Sequence, residues 1–149
     1  MKRLGVNIDH VATVRNARGS FHPDPFTIAK HVIKCGAHSV TIHLREDRRH
    51  IKDTDVVKIC KNKKIITNLE ISLNKKIIEI ALKNKPNFIC IVPEKRKEVT
   101  TEGGLNLIKN KKKIKTIISL FNKKNIRTSL FVDPTLKDIK IAKELNATC

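Results

Sequence analysis

Ser39-Val40-Thr41-Ile42-His43-Leu44-Arg45-Glu46-Asp47-Arg48-Arg49-His50 opens as a short apolar run and breaks at once into a dense polar string. The segment from Ser39 to Leu44 has the length and β-branched content of a strand. Four more runs of that kind are Leu4 to Ile8, Ile65 to Leu69, Phe88 to Val92 and Arg127 to Val132. Between them apolar residues recur at helical spacing, as in Phe26, Ala29 and Ile33 and again in Ile77, Ile80 and Ala81. Asp24 before Pro25 predicts an N-cap with proline at the first helical position, and Gly36 predicts where that helix stops. Strand and helix alternating along the whole chain predict one α/β domain over residues 1–149 with a parallel sheet, either open and doubly wound or bent into a barrel. Neither G-x-G-x-x-G after the first strand nor G-x-x-x-x-G-K-[ST] occurs, so the dinucleotide and P-loop forms of the open sheet lose ground and the barrel gains by default.

Bulk composition narrows the function classes. The apolar stretches are interrupted by Lys or Asn long before the roughly 20 residues a membrane span needs, and the residues after Met1-Lys2-Arg3 turn polar too early for a signal peptide. A cytoplasmic location without membrane association is the expectation. Cys35, Cys60, Cys90 and Cys149 form no C-x-x-C pair, which argues for reduced thiols rather than a zinc or redox motif. The net charge of +18 points on its face to nucleic acid. Against that, the lysines are scattered beside Asn and Ile, residues that share A/T-rich codons, and aromatics make up only 3%, too few for base-stacking platforms. No nucleic-acid partner is therefore expected, and part of the charge is free to serve small phosphorylated molecules.

In parallel α/β folds ligands sit outside the carboxyl ends of the strands. Here those ends read Asn7-Ile8-Asp9-His10, His43 to His50, Asn68-Leu69-Glu70, Pro93-Glu94-Lys95-Arg96 followed by Thr100-Thr101-Glu102-Gly103-Gly104, and Asp133-Pro134. Strand alternation puts Asn7 with Asp9, His43 with Arg45 and Asn68 with Glu70 on shared faces. Polar residues collect wherever a strand meets water, but repetition at every strand end favours one pocket. Histidine and glutamate move protons near neutral pH and arginine suits phosphate, so the set reads as an acid–base site for a phosphorylated substrate. His43 is a candidate base or a packed histidine, and Glu70 a candidate base or an ion-pair partner. No compact ligand spacing supports a metal. The Thr100 to Gly104 segment is a phosphate cradle or a plain turn.

Gly5-Val6-Asn7-Ile8-Asp9-His10-Val11-Ala12-Thr13-Val14-Arg15-Asn16-Ala17-Arg18-Gly19 resembles the opening of the pyridoxine 5′-phosphate synthase family of vitamin B6 biosynthesis. Thr41 to Ile51, Asn68-Leu69-Glu70, Val92 to Arg96, Thr100 to Leu105 and Ser129 to Pro134 are similar to further family blocks in the family's order. The resemblance implies a (β/α)8 TIM barrel that condenses 3-amino-2-oxopropyl phosphate with 1-deoxy-D-xylulose 5-phosphate, giving pyridoxine 5′-phosphate, phosphate and water. It implies no cofactor, two phosphorylated substrates as partners, and a homo-oligomer, octameric in the family. Carried over by position, it makes His43 and Glu70 the proton acceptors. Asp9, His10, Arg45, His50 and Thr100 are implied to hold the deoxyxylulose phosphate, with Thr101 as the alternative to Thr100, and Asn7 and Arg18 to contact the aminoketone phosphate.

A (β/α)8 barrel takes about 250 residues, so this chain is expected to carry about five βα units, and the resemblance implies a strand-six glutamate, a proton-donating histidine and later phosphate loops beyond Cys149. A truncated product, one half of a split enzyme and a piece of a longer protein all fit that expectation. The rival functions are an inactive remnant or interaction module and, behind it, a basic nucleic-acid binder.

Overall fold

In the computed structural model, residues 2–94 and 103–149 are described. The chain runs β1 (Gly5–Asn7), α1 (Asp9–Ala17), α2 (Pro25–Lys34), β2 (Ser39–His43), α3 (Asp53–Lys61), β3 (Thr67–Ile71), α4 (Lys75–Asn84), β4 (Phe88–Ile91), α5 (Leu107–Asn122), β5 (Arg127–Leu130) and α6 (Leu136–Glu144). The strands form one five-stranded sheet in the order β1-β2-β3-β4-β5, every neighbouring pair parallel. That order decides between the two architectures left open by periodicity. A doubly wound sheet reverses its strand order at a switch point; this one never reverses, and with crossovers of one hand it curls with its helices on a single face, as in a barrel. The sheet is not closed: it is an α/β arrangement of five consecutive barrel units. No described helix is long and apolar enough to cross a membrane.

One face of the sheet is apolar. Val40, Ile42, Leu69, Ile71, Ile89 and Ile91 are fully buried, packed in one cluster with Val56 and Ile59 of α3, Ile77 and Ala81 of α4, and Ile114, Ile118 and Phe121 of α5. Each fully buried aliphatic side chain contributes about 1.5–3 kcal/mol. The alternate strand residues, including Thr41, Asn68, Glu70, Cys90 and Ser129, are half-buried and make the other face polar.

The helix starting at Pro25 is capped as the sequence predicts, the Asp24 carboxylate accepting from the Thr27 N–H at 2.9 Å, and it ends before Gly36 at φ +101°. Two expectations shift. The third strand lies two residues later than Ile65 to Leu69, because its pairing with β2 continues to Glu70. The first strand stops at Asn7: Ile8 leaves the extended region (ψ 16°), and Asp9 opens α1 instead of extending β1. The Asn7 side chain drives that turn by accepting the Asp9 N–H at 2.9 Å, and an acidic residue in the first turn suits the helix dipole.

A buried ion pair then ties α1 to the first turn of α3. Arg15 grips Asp55 through both carboxylate oxygens at 2.7 and 2.9 Å, and Asp55 also accepts the Lys52 N–H at 2.9 Å, capping α3. Beside it, Asn16 donates to the carbonyls of Arg49 (3.1 Å) and His50 (2.8 Å). The polar string after β2 is thus held from below rather than left as a solvated loop. Removing one member of a buried pair strands the other charge at a cost of about 3–5 kcal/mol. Asp55→Ala is expected to lower the unfolding free energy by about 3 kcal/mol in urea titration, whereas a loss below about 1 kcal/mol, the value of an exposed pair, would contradict the clamp.

Candidate functional site

The parallel register lays two polar rows across the open face. Asn7 lies beside Thr41, Thr41 beside Asn68, and that row continues through Phe88 to Arg127. Nearer the carboxyl ends, His43 lies beside Glu70, Glu70 beside Cys90 and Cys90 beside Ser129. The second row brings the two candidate proton acceptors together: His43 Nδ1 stands 3.7 Å from Glu70 Oε2. Burial pushes the Glu70 carboxyl above its ordinary range and the nearby Asp9 charge adds to this, while the His43 ring works in the opposite sense. Glu70 is therefore a better proton acceptor than an exposed glutamate once it has ionised.

Asp9 reaches the same cluster from α1. Its Oδ1 accepts the backbone N–H of His43 at 2.7 Å and its Oδ2 accepts from Asn7 Nδ2 at 2.8 Å. It fixes the end of β2 and presents Asn7 beside it. On the next turn of α1, Thr13 Oγ1 lies 2.6 Å from His50 Nδ1 and 3.4 Å from His10 Nδ1, and the two rings meet edge to face with centroids 5.6 Å apart. Partial burial, helped by His10, Arg45 and Arg49 and opposed by Asp9, holds the His50 imidazole below its usual range. That environment favours its neutral, hydrogen-bonding form.

Arg45 is buried, with its guanidinium 3.4 Å from Asp47 and 3.9 Å from Glu94. Burial opposes charge on Asp47, yet hydrogen bonds from Arg49 and the charges of Arg45 and Arg49 prevail and bring its pKa to about 2. Arg18 stands apart. It is exposed at the end of α1 and borders a hollow of about 470 Å³ with Val14, His22, Pro23, Asp24, Thr27 and Ile28, none of them from the His43 cluster. Thr100 and its alternative Thr101 lie outside the described residues, as do Lys95, Arg96 and Glu102. Of the expected glycine cradle, Gly103 and Gly104 are described: Gly103 is exposed at φ +72°, and the Gly104 N–H is committed to Asp133 Oδ1 at 2.8 Å. A Cβ there would meet the Asp133 nitrogen at 2.2 Å, so Gly104 serves a close backbone approach to the end of β5.

One residue in this cluster carries no assignment from the sequence. Glu94, just past β4, has its side chain 3% exposed, accepts the Glu46 N–H at 2.9 Å and faces His43 Nε2 at 3.8 Å. Its signal was positional: it is the first acidic residue after a strand whose neighbours all end in functional groups. Glu46 in turn accepts from Ser72 Oγ and Asn74 Nδ2, both at 2.9 Å, which locks the ends of β2, β3 and β4 together. Among the described residues no group of three or more His, Cys, Asp or Glu is arranged to hold a metal ion. The assembled groups can exchange protons between a histidine and a glutamate beside a half-buried, polar sheet face.

Comparison with known proteins agrees with this architecture. The family model described as pyridoxal phosphate biosynthesis protein PdxJ matches residues 4–149. The chain is 93% identical over all of its 149 residues to a pyridoxine 5′-phosphate synthase of Pelagibacter ubique (strain HTCC1062), covering 62% of that relative. It is 50% identical over 143 residues, 96% of its own length, to a pyridoxine 5′-phosphate synthase of Wolbachia pipientis subsp. Culex pipiens, covering 61% of it. The chain thus spans about three-fifths of the length of these curated relatives. With the whole described fold inside the match, the chain belongs to the PdxJ family of pyridoxal phosphate biosynthesis proteins.

Proposed function

We propose that the protein acts in pyridoxine 5′-phosphate synthesis, condensing 3-amino-2-oxopropyl phosphate with 1-deoxy-D-xylulose 5-phosphate and releasing phosphate and water. The observation that carries this reading is the pairing of His43 with Glu70 on adjacent strands, 3.7 Å apart at the carboxyl edge of the sheet. Imine formation, elimination and ring closure each move protons without consuming the groups that carry them. A histidine and a carboxyl of raised proton affinity, held side by side, suit that work.

The other residues take the roles that the family resemblance implies for them. Asp9 sets the end of β2 and, with His10, His50 and Arg45, forms the wall on which the deoxyxylulose phosphate is held; Thr100 belongs to the same proposed set. The His50 ring, whose surroundings favour its neutral form, offers a hydrogen bond to a hydroxyl, and Arg45 offers fixed positive charge. Asn7, on the row below His43, and Arg18, at the end of α1, are the proposed contacts of the aminoketone phosphate. The reading requires no cofactor. A homo-oligomer working in the cytoplasm, as the family resemblance implies, completes the proposal.

Purified protein mixed with both substrates is expected to form pyridoxine 5′-phosphate, followed by ultraviolet absorbance and mass. His43→Ala should lower the rate by about 10²–10⁴-fold, the usual worth of an acid–base group. Folded protein that yields no product, or a His43→Ala variant as fast as the parent, would overturn the reading.

The pH dependence follows from Glu70. Burial and the Asp9 charge make its proton harder to lose, so the acid limb of kcat/KM should lie above the ordinary glutamate value of about 4.3. Asp9→Asn removes one of those two causes and should move the limb to lower pH. A limb that stays in place, measured over the full profile, would take Glu70 out of the proton-accepting role.

A further inference from the structure

The His43 ring lies between two carboxylates. Glu70 faces Nδ1 at 3.7 Å and Glu94 faces Nε2 at 3.8 Å. His43 Nε2 and Glu94 Oε2 are both buried and neither has a hydrogen-bond partner among the described residues. Two buried polar atoms facing each other without partners are an unstable arrangement unless they bond to one another. Closing the gap to hydrogen-bonding distance takes a shift of about 1 Å.

We propose that Glu94 is a positioning residue for His43: its carboxylate accepts a hydrogen bond from Nε2–H, which leaves Nδ1 as the bare nitrogen turned toward Glu70. The catalytic consequence rests on the function proposed above; the hydrogen bond itself does not.

The two carboxylates are suited to unequal roles. Glu94 is anchored, its Oε1 accepting the Glu46 N–H at 2.9 Å while Glu46 is held by Ser72 and Asn74. Burial opposes its charge, but the His43 ring, the Glu46 N–H and the Arg45 guanidinium outweigh that and hold its carboxyl below the usual range. Glu94 is thus an acceptor throughout the neutral range. Glu70 is displaced the other way, chiefly by burial, and holds its proton longer. The groups facing the ring are Glu70 from β3 and Glu94 after β4, with Arg45 beside Glu94, while Asp9 from α1 holds the His43 backbone N–H.

In a deprotonation step the Nδ1 lone pair takes the proton and the bond's electron pair stays with the substrate. The resulting imidazolium carries its charge against the Glu94 carboxylate, and Glu94 keeps no proton at any stage. Passing the proton from Nδ1 to Glu70 returns the ring to its starting tautomer. A carboxylate that holds a histidine in one tautomer and stabilises its charged form is a recurring arrangement in proton-transfer sites.

The test is nitrogen NMR of the full chain labelled with 15N in histidine, with the His43 signals identified by their loss in His43→Asn. The expected spectrum at neutral pH shows His43 Nε2 protonated and Nδ1 bare. In Glu94→Gln the carboxamide can donate to Nε2, so the proton should move to Nδ1, and Glu94→Asp should restore the original tautomer. A bare Nε2 in the wild-type protein overturns the proposal, and so does an unchanged tautomer in folded Glu94→Gln. Should that variant fail to fold, the wild-type spectrum alone decides. In kinetics, Glu94→Gln should reduce kcat by about 10- to 100-fold with KM held, as expected on losing a partner that orients a reacting group. Wild-type protein that makes no pyridoxine 5′-phosphate sinks the proposed function, while the tautomer result still decides the role of Glu94.

Discussion

The parallel register between β2 and β3 is the constraint on which the site depends. Because His43 pairs with Glu70 at the last rungs of that ladder, two groups 27 positions apart in the chain are held on one face of rigid, fully hydrogen-bonded backbone. A one-residue slip of β2 would send His43 into the apolar layer and bring Leu44 to the open face, and a slip of β3 would do the same with Glu70 and Leu69, exchanging buried core for buried charge. The isoleucine-rich face beneath therefore enforces the position of the polar face above. Asp9 adds a second restraint, since its carboxylate holds the His43 N–H where β2 ends and the ladder stops.

The electrostatics of this corner run opposite to the chain as a whole. The protein carries +18 overall, yet the His43 ring lies between Glu70 and Glu94, and Asp9 holds its backbone N–H. Arg15 and Arg48 are each paired with an aspartate, and Arg45 stands near two carboxylates. Charge that decides chemistry is set here by neighbours within 4 Å, where the local dielectric is low. Of the lysines along α5, Lys109 and Lys113 line a hollow that Glu46 and Glu94 also border.

Much of this was legible in the sequence, for local reasons. Runs such as Ser39 to Leu44 and Phe88 to Val92 announce strands to within a residue, and Asp24-Pro25 and Gly36 mark the ends of α2 through cap chemistry. The polar strand ends mark out His43, Asp9 and Glu70, which the structure brings together because the topology sends every strand end to the same edge. What escaped depends on long-range contacts. α1 was hidden because Asn7-Ile8-Asp9 alternates like a strand, and only the Asn7 side chain folding onto the Asp9 N–H ends it. The Arg15–Asp55 clamp spans 40 positions and leaves no periodic trace. Sequential strand order, which separates a barrel from a doubly wound sheet, is a property of pairing and not of any one segment. Glu94 stood in plain view after β4, but its role depends on facing a ring from another strand.

The central claim is that His43 and Glu70 work as one proton-handling unit. A double-mutant cycle on kcat/KM for pyridoxine 5′-phosphate formation, using His43→Ala, Glu70→Gln and the two together, tests it most directly. The account predicts strong non-additivity, with the double variant no slower than the worse single one, because either loss already disables the pair. Losses that multiply across the cycle would show two independent groups and would contradict it.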